Sequence, residues 1–187
     1  MEIRIATVAD ARGIQAIYAP VVRDTAISFE VEPPTIEEMM QRVEGTMPSH
    51  PWLVATDGET LLGYAYGQRF AARAAYAWSV DASVYVHGSA RGRGVGRTLY
   101  ARLFRILQAQ GYRQVFAGIT LPNPASVALH ESVGFEPIAV YHDVGWKLGA
   151  WRAVGRWQLH LSDDHGPPAP VRSLDELDPE ELNRLLR

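Results

Sequence analysis

The spacing of apolar residues changes period repeatedly along the 187-residue chain, from two to between three and four and back, which predicts a mixed α/β order. Residues 3–6 read as a first strand. Ile14, Ile17, Tyr18 and Val21 then share one face of a helix opened by Thr7-x-x-Asp10. Thr35-x-x-Glu38 repeats that start signal after the Pro33-Pro34 break, for a second helix to about Val43. Two strands, 52–56 and 61–70, flank a hairpin turn at Asp57-Gly58. A strand at 82–86, a glycine-rich turn and a helix at 97–110 come next, followed by a strand at 114–120. Asn123 and Pro124 have the character of a helix cap and first position, and Gly134-Phe135 ends that helix. Two last strands are expected around 138–142 and 151–161. From residue 162 the chain is rich in proline and charge, with a short amphipathic stretch at 178–186. The expected organisation is one domain over 1–161 and a polar, peripheral C-terminal tail over 162–187.

Composition narrows the classes. A hydrophobic share of 47% and a formal charge of -3 describe a globular protein rather than a nucleic-acid binder. No apolar run reaches membrane-spanning length, and Met1-Glu2-Ile3-Arg4 leads straight into patterned sequence, so no membrane segment, no secretory leader and a cytoplasmic location are expected. The chain has no cysteine, which removes an acyl-cysteine intermediate; an acyl transfer here is expected to be a direct attack by the acceptor. The six histidines show no ligand spacing, and no metal is expected.

Arg91, Gly92, Arg93, Gly94, Val95 and Gly96 lie between a predicted strand and a predicted helix. Glycines there let backbone N–H groups turn toward one point, the helix start adds unpaired donors, and Arg91, Arg93 and Arg97 add charge, which together suit a phosphate. The register excludes a G-x-x-x-x-G-K-S/T nucleotide loop and a G-x-G-x-x-G dinucleotide fingerprint, leaving R-x-x-G-x-G on Arg91, Gly94 and Gly96. A second segment, from Asn123 through Ser126, Leu129, His130 and Glu131 to Gly134 and Phe135, spells N-x-x-A/S-x-x-L-Y/H-E-x-x-G-F.

The two motifs, in this order and one helix and one strand apart, resemble the signatures of the GNAT N-acetyltransferases. Thr25 to Glu30, Pro51 to Ala55, Arg73 to Trp78, Ser83 to Val86 and Gly145 to Trp151 narrow the resemblance to the phosphinothricin and methionine sulfoximine branch, over about residues 2–161. The resemblance implies an α/β (α+β) fold: a mixed, mostly antiparallel sheet of six to seven strands, splayed where the coenzyme enters and flanked by about four helices. It implies acetyl-CoA as cosubstrate and transfer to the α-amino group of a small amino-acid-like molecule. Acetyl-CoA is expected to meet the 91–97 loop, the backbone of Val84, Tyr85 and Val86, and Asn123 and Ser126. His130 and Asp81 are the expected proton-transfer groups, with a buried, satisfied histidine as the plainer reading of His130. Arg73 is expected to grip a substrate carboxylate beside Phe29, Glu30, Tyr76, Trp78 and Lys147, although core packing is the plainer reading of Trp78.

Two positions depart from the branch. Asp81 stands where glutamate is usual, one methylene shorter, so that proton transfer needs a shifted substrate or a water. Arg152-Ala153 stands where the branch reads H-D. Another small amine, a protein N-terminus, or a noncatalytic acyl-CoA-binding role remain the alternatives. Branch members are commonly dimers, and the aromatic stretch from Trp146 to Trp157 is the expected interface.

Overall fold

The computed structural model describes residues 1–187. The elements run β1 (Glu2–Ile5), α1 (Ala11–Asp24), α2 (Ile36–Thr46), β2 (Trp52–Asp57), β3 (Thr60–Arg69), β4 (Ser79–Val86) and α3 (Val95–Gln110). They continue with β5 (Gln114–Leu121), α4 (Pro124–Ser132), β6 (Glu136–Lys147), β7 (Ala150–His160) and α5 (Pro179–Leu186). The helix starts follow the capping logic. The Glu38 carboxylate accepts from the Thr35 N–H at 2.7 Å while the Thr35 hydroxyl oxygen accepts from the Glu38 N–H at 3.1 Å, satisfying donors a helix start leaves open.

The seven strands form one sheet in the order β1-β2-β3-β4-β5-β7-β6, antiparallel everywhere except between β4 and β5. On one face α1 and α2 bury Ile14, Ile17, Tyr18, Met39 and Val43 against Trp52, Val54 and Tyr64. On the other, α3 buries Leu99, Tyr100, Leu103 and Leu107 against Leu53, Ala65, Val80 and Ala117. No helix is long and apolar enough to cross a membrane.

The parallel junction is the weak seam. β4 and β5 pair only from Ser79–Gln114 to Asp81–Phe116, and then part. β4 stays with β3 as far as Val86, and β5 stays with β7 as far as Leu121, so the sheet opens into two leaves beyond Asp81.

The C-terminal segment departs from the expected peripheral tail. Leu174 and Leu177 are buried in the larger core, with Leu182, Leu185 and Leu186 packed against it. The Arg172 N–H donates to the Gln110 carbonyl at 2.8 Å, and the Leu174 N–H to the Pro48 carbonyl at 3.0 Å. Leucines at helical spacing supply the apolar face that the proline and charge content obscured, and they make α5 a helix beyond the expected four.

Candidate active site

The open seam becomes a cleft of about 580 Å³ between the leaves, walled by Val84, Tyr85, Val86, Ile27, Asn123, Ser126 and Leu129 and floored by the glycine loop. Along β4 the His87 N–H donates back to Leu62 of the β3 side, so by alternation Tyr85 and Ser83 bond toward β3 while Ala82, Val84 and Val86 direct their N–H and C=O groups into the opening. An extended amide-bearing ligand fits that unpaired edge. At its end, Gly92 and Gly94 take left-handed backbone angles (φ 74° and 79°) and α3 begins at Val95. The N–H groups of residues 92–97 find no carbonyl or side-chain acceptor in the chain, and the first bond of the helix is Thr98 N–H to the Gly94 carbonyl, 3.0 Å. Six consecutive free donors at a helix start form a cradle for an anion. Gly96 is held small by its neighbour: a Cβ there would lie 3.0 Å from Leu129. Arg91 and Arg97 reach the cleft wall; Arg93 does not.

His130 lies at the narrow end of the seam, in a small recess with Ser83, Tyr100 and Thr120. It is buried, and both ring nitrogens are engaged: Nδ1 at 2.7 Å from the Ser126 carbonyl and Nε2 at 2.9 Å from the Tyr100 hydroxyl. A carbonyl only accepts, so Nδ1 carries the proton and Nε2 accepts from Tyr100. Burial pushes the imidazole below its ordinary value, against the pull of the Ser126 carbonyl. On the opposite sheet face, at the last β4–β5 pair, the Asp81 carboxylate accepts from Arg156 at 2.7 Å. Burial raises Asp81 above the ordinary carboxylate range while Arg156 pulls it back.

A family model described as an acetyltransferase (GNAT) domain matches residues 3–152. The chain belongs to the GNAT acetyltransferases. It is 37% identical over 177 residues to phosphinothricin N-acetyltransferase of Streptomyces viridochromogenes, covering 95% of this chain and 96% of that one. It is 33% identical to the L-methionine sulfoximine/L-methionine sulfone acetyltransferase of Salmonella typhimurium, over 90% of this chain and 98% of that one. A phosphinothricin acetyltransferase from Sinorhizobium meliloti, solved with acetyl-CoA, superposes with a TM-score of 0.87 at 34% identity, over 94% of this chain and 96% of the other.

In this GNAT acetyltransferase the expected acceptor residues do not converge on one point. Lys147 is buried and spends its three donors on the carbonyls of Val22, Ser28 and Glu30, at 2.7, 2.5 and 2.7 Å. It clamps the loop after α1 and has no donor left for a substrate, which corrects its expected role. Glu30 is locked as well: its carboxylate takes both arms of Arg42, at 2.7 and 2.8 Å, and the Tyr18 hydroxyl at 2.9 Å. The Arg42 pairing holds it below the ordinary carboxylate range. Phe29 packs over Gly145 of β6, where a Cβ would collide with the ring, and Ile27 rather than Phe29 faces the cleft. Trp78 donates its indole N–H to the Ala169 carbonyl at 2.7 Å and belongs to the docking of the C-terminal segment, not to the acceptor wall. Arg73 and Tyr76 line a separate hollow of about 460 Å³ with His50 and Arg69, in which Arg73 has no protein partner. Tyr76 meets Phe70 edge-on at 5.5 Å, and Phe70 stacks on Phe116 at 4.4 Å, so an aromatic wall links that hollow to the seam. Motif reading misses Arg156. Its one sequence signal is a cation on the same strand face as Arg152 and Gln158, at even spacing along the strand.

Proposed function

We propose that this chain is an acetyl-CoA-dependent N-acetyltransferase that moves acetyl directly to the α-amino group of a small amino-acid-like molecule of the phosphinothricin or methionine sulfone type. The observation that carries the reading is an unpaired β4 edge and six free amides at a helix start in one opening, with a carboxylate at the last β4–β5 pair, where the two leaves part. Relatives named for these substrates across nearly the full chain support it.

The amides of residues 92–97 with Arg91 and Arg97 would hold the coenzyme's phosphates, the Val84 and Val86 edge its amide-bearing arm, and Ile27, Asn123 and Ser126 would flank the entry. Acetyl-CoA, when bound, would supply an acetyl thioester: the acceptor nitrogen bonds the carbonyl carbon, the C–S bond breaks, and the second proton of that nitrogen passes to the departing thiolate, directly or through water, to give the free thiol. An ammonium has no lone pair to form the C–N bond, so the chain must first remove a proton, and Asp81 would take it, directly or through a water. His130 has one proton, and it is committed to the Ser126 carbonyl; delivering it to the leaving group requires breaking that bond. The more direct role for His130 is to fix Tyr100 and close the narrow end.

The edge strand β6, the turn after it and the start of β7 expose Val144, Trp146, Leu148 and Trp151, with the two indoles 5.5 Å apart. This apolar edge supports a homodimer built on the region from Trp146 to Trp157, which scattering-detected chromatography of the wild type against Trp146→Glu tests. The reading places the enzyme in the cytoplasm, with acetyl-CoA at hand.

The test is coenzyme A release with phosphinothricin, methionine sulfoximine, methionine sulfone, common amino acids, polyamines and an Ala-initiated peptide. The peptide matters because a chain named as a ribosomal-protein-alanine N-acetyltransferase from Brucella melitensis is 35% identical, with a TM-score of 0.83. Turnover with one or more free amino acids is expected; turnover with the peptide alone moves the assignment to protein N-termini.

A further inference from the structure

Arg156 stands on β7 directly across from Gly118 of β5, and reaches over that strand to Asp81 on β4. The crossing depends on the glycine, since a Cβ at Gly118 would lie 3.1 Å from Nη1 of Arg156. The guanidinium thus bridges the two leaves at the point where they separate, with Phe70 beside it, its ring centroid 6.0 Å from Cζ.

The ion pair is made at one point on each side. Nη2 donates to Oδ1 of Asp81 at 2.7 Å; Nε and Nη1 donate to nothing in the chain, and Oδ2 accepts from nothing. Both side chains are about one-fifth exposed, so the unused groups border solvent in a part-dry site where a charged partner is bound more strongly than on open surface. The fixed guanidinium fork suits a carboxylate, and the free carboxylate oxygen suits an ammonium. An α-amino acid carries those two groups on one carbon, in the same adjacency as the pair that would receive them.

We propose that the Asp81–Arg156 pair is the zwitterion subsite of this enzyme: Arg156 takes the acceptor's α-carboxylate through Nε and Nη1, and Asp81 takes the α-ammonium through Oδ2. The proposal rests on the α-amino-acid reading above and deepens it. It assigns Arg156 as a specificity-determining residue, places the nitrogen to be acetylated against Asp81, and leaves Arg73, beyond the Phe70 wall, for the acceptor's distal polar group. The short aspartate follows from the same arrangement, because a longer carboxylate would overrun the guanidinium lying across Gly118.

The test compares L-methionine sulfone with 3-(methylsulfonyl)propan-1-amine, which lacks only the α-carboxylate, in the wild type, Arg156→Met and Arg156→Lys. The expected result for Arg156→Met is an acceptor KM raised by about 30-fold or more, a KM for acetyl-CoA within about twofold of the wild type, and a preference for acid over amine narrowed by about tenfold or more. Arg156→Lys, which keeps the charge without the fork, recovers part of the preference, and the unchanged acetyl-CoA KM certifies the fold of each variant. If the wild type acetylates the acid and Arg156→Met keeps both KM and preference, the subsite is wrong while the amino-acid reading stands. A wild type that acetylates the amine but neither this acid nor phosphinothricin overturns the reading and the subsite together.

Discussion

In the proposed enzyme the donor and acceptor sides of the seam are built from different material. The donor side is mostly backbone: amides of residues 92–97, the β4 edge at Val84 and Val86, and a helix start whose geometry glycine permits. The acceptor side is made of side chains from separate strands and loops, Asp81 on β4, Arg156 on β7, Phe70 after β3, Phe116 on β5 and Arg73 beyond. A backbone site tolerates substitution of its side chains and fails only where conformation or space is removed. A side-chain site changes its ligand with each replaced group. Donor binding in this chain therefore resists side-chain replacement, while acceptor binding follows each replaced group.

The largest effect should come from breaking the backbone site. Gly94 holds φ at 79°, and a Cβ added there would meet no protein atom within 4 Å, so Gly94→Val acts first on conformation. A β-branched residue resists the left-handed region and turns the adjacent amides away. Loss of two charge-assisted bonds predicts an acetyl-CoA KM raised by about 100-fold, with the acceptor KM unchanged, read from initial rates. Next is Asp81→Asn, expected to lower kcat/KM by about 100-fold or more, as removal of a positioned base does. Its pH profile gives the sharper measurement. The base works deprotonated and burial raises its pKa, so kcat/KM should fall on acidification at a pH above that of an ordinary aspartate. Arg156 is the opposing charge, with the Tyr66 hydroxyl also nearby. Arg156→Met removes the influence that lowers the pKa, so the acid limb should move to still higher pH; a limb that stays fixed or moves down detaches Asp81 from the rate.

The same contrast explains which features are legible in the sequence. Gly92, Gly94 and Gly96, Asn123, Gly134 and Phe135 are consecutive-chain signals, because the physics they serve, left-handed turns, caps and a helix start, is local. The strand and helix order is readable for the same reason. Lys147 misleads because its three carbonyl partners come from residues more than a hundred positions away, and a lysine in an apolar strand gives no sign of whether it faces a ligand or a loop. Arg156 escapes notice because Asp81 is 75 residues distant and the enabling Gly118 lies on a third strand. Composition alone makes the C-terminal segment look peripheral, whereas the spacing of Leu174, Leu177, Leu182 and Leu185 decides its place.

His130 belongs between the two sides, and an intermediate effect is expected there. His130→Phe fills the recess but strands the Tyr100 hydroxyl, already buried and pushed far above its ordinary pKa, and frees the Ser126 carbonyl. Leaving a buried hydroxyl unpaired costs about 1–3 kcal/mol, so the melting temperature should drop by several degrees, while kcat falls less than in Asp81→Asn. A kcat loss as large as that of Asp81→Asn, with stability intact, returns the proton-delivery role to His130.

The smallest effect expected is at Trp78, and it tests where the acceptor side ends. Its indole N–H bonds to the Ala169 carbonyl of the C-terminal segment, 91 residues away. If that is its task, Trp78→Phe loses one hydrogen bond and some apolar contact, about 1 kcal/mol, and leaves a carbonyl that water can reach. Chemical denaturation should show this modest loss, and hydrogen exchange should rise in the segment around Ala169, Val171 and Leu174. The acceptor KM should stay within about twofold of the wild type, because Trp78 lines neither the cleft nor the His130 recess. A KM that rises with the exchange pattern unchanged puts Trp78 back in the acceptor wall and makes the hollow around Arg73 and Tyr76, not the Asp81–Arg156 apex, the main seat of substrate choice.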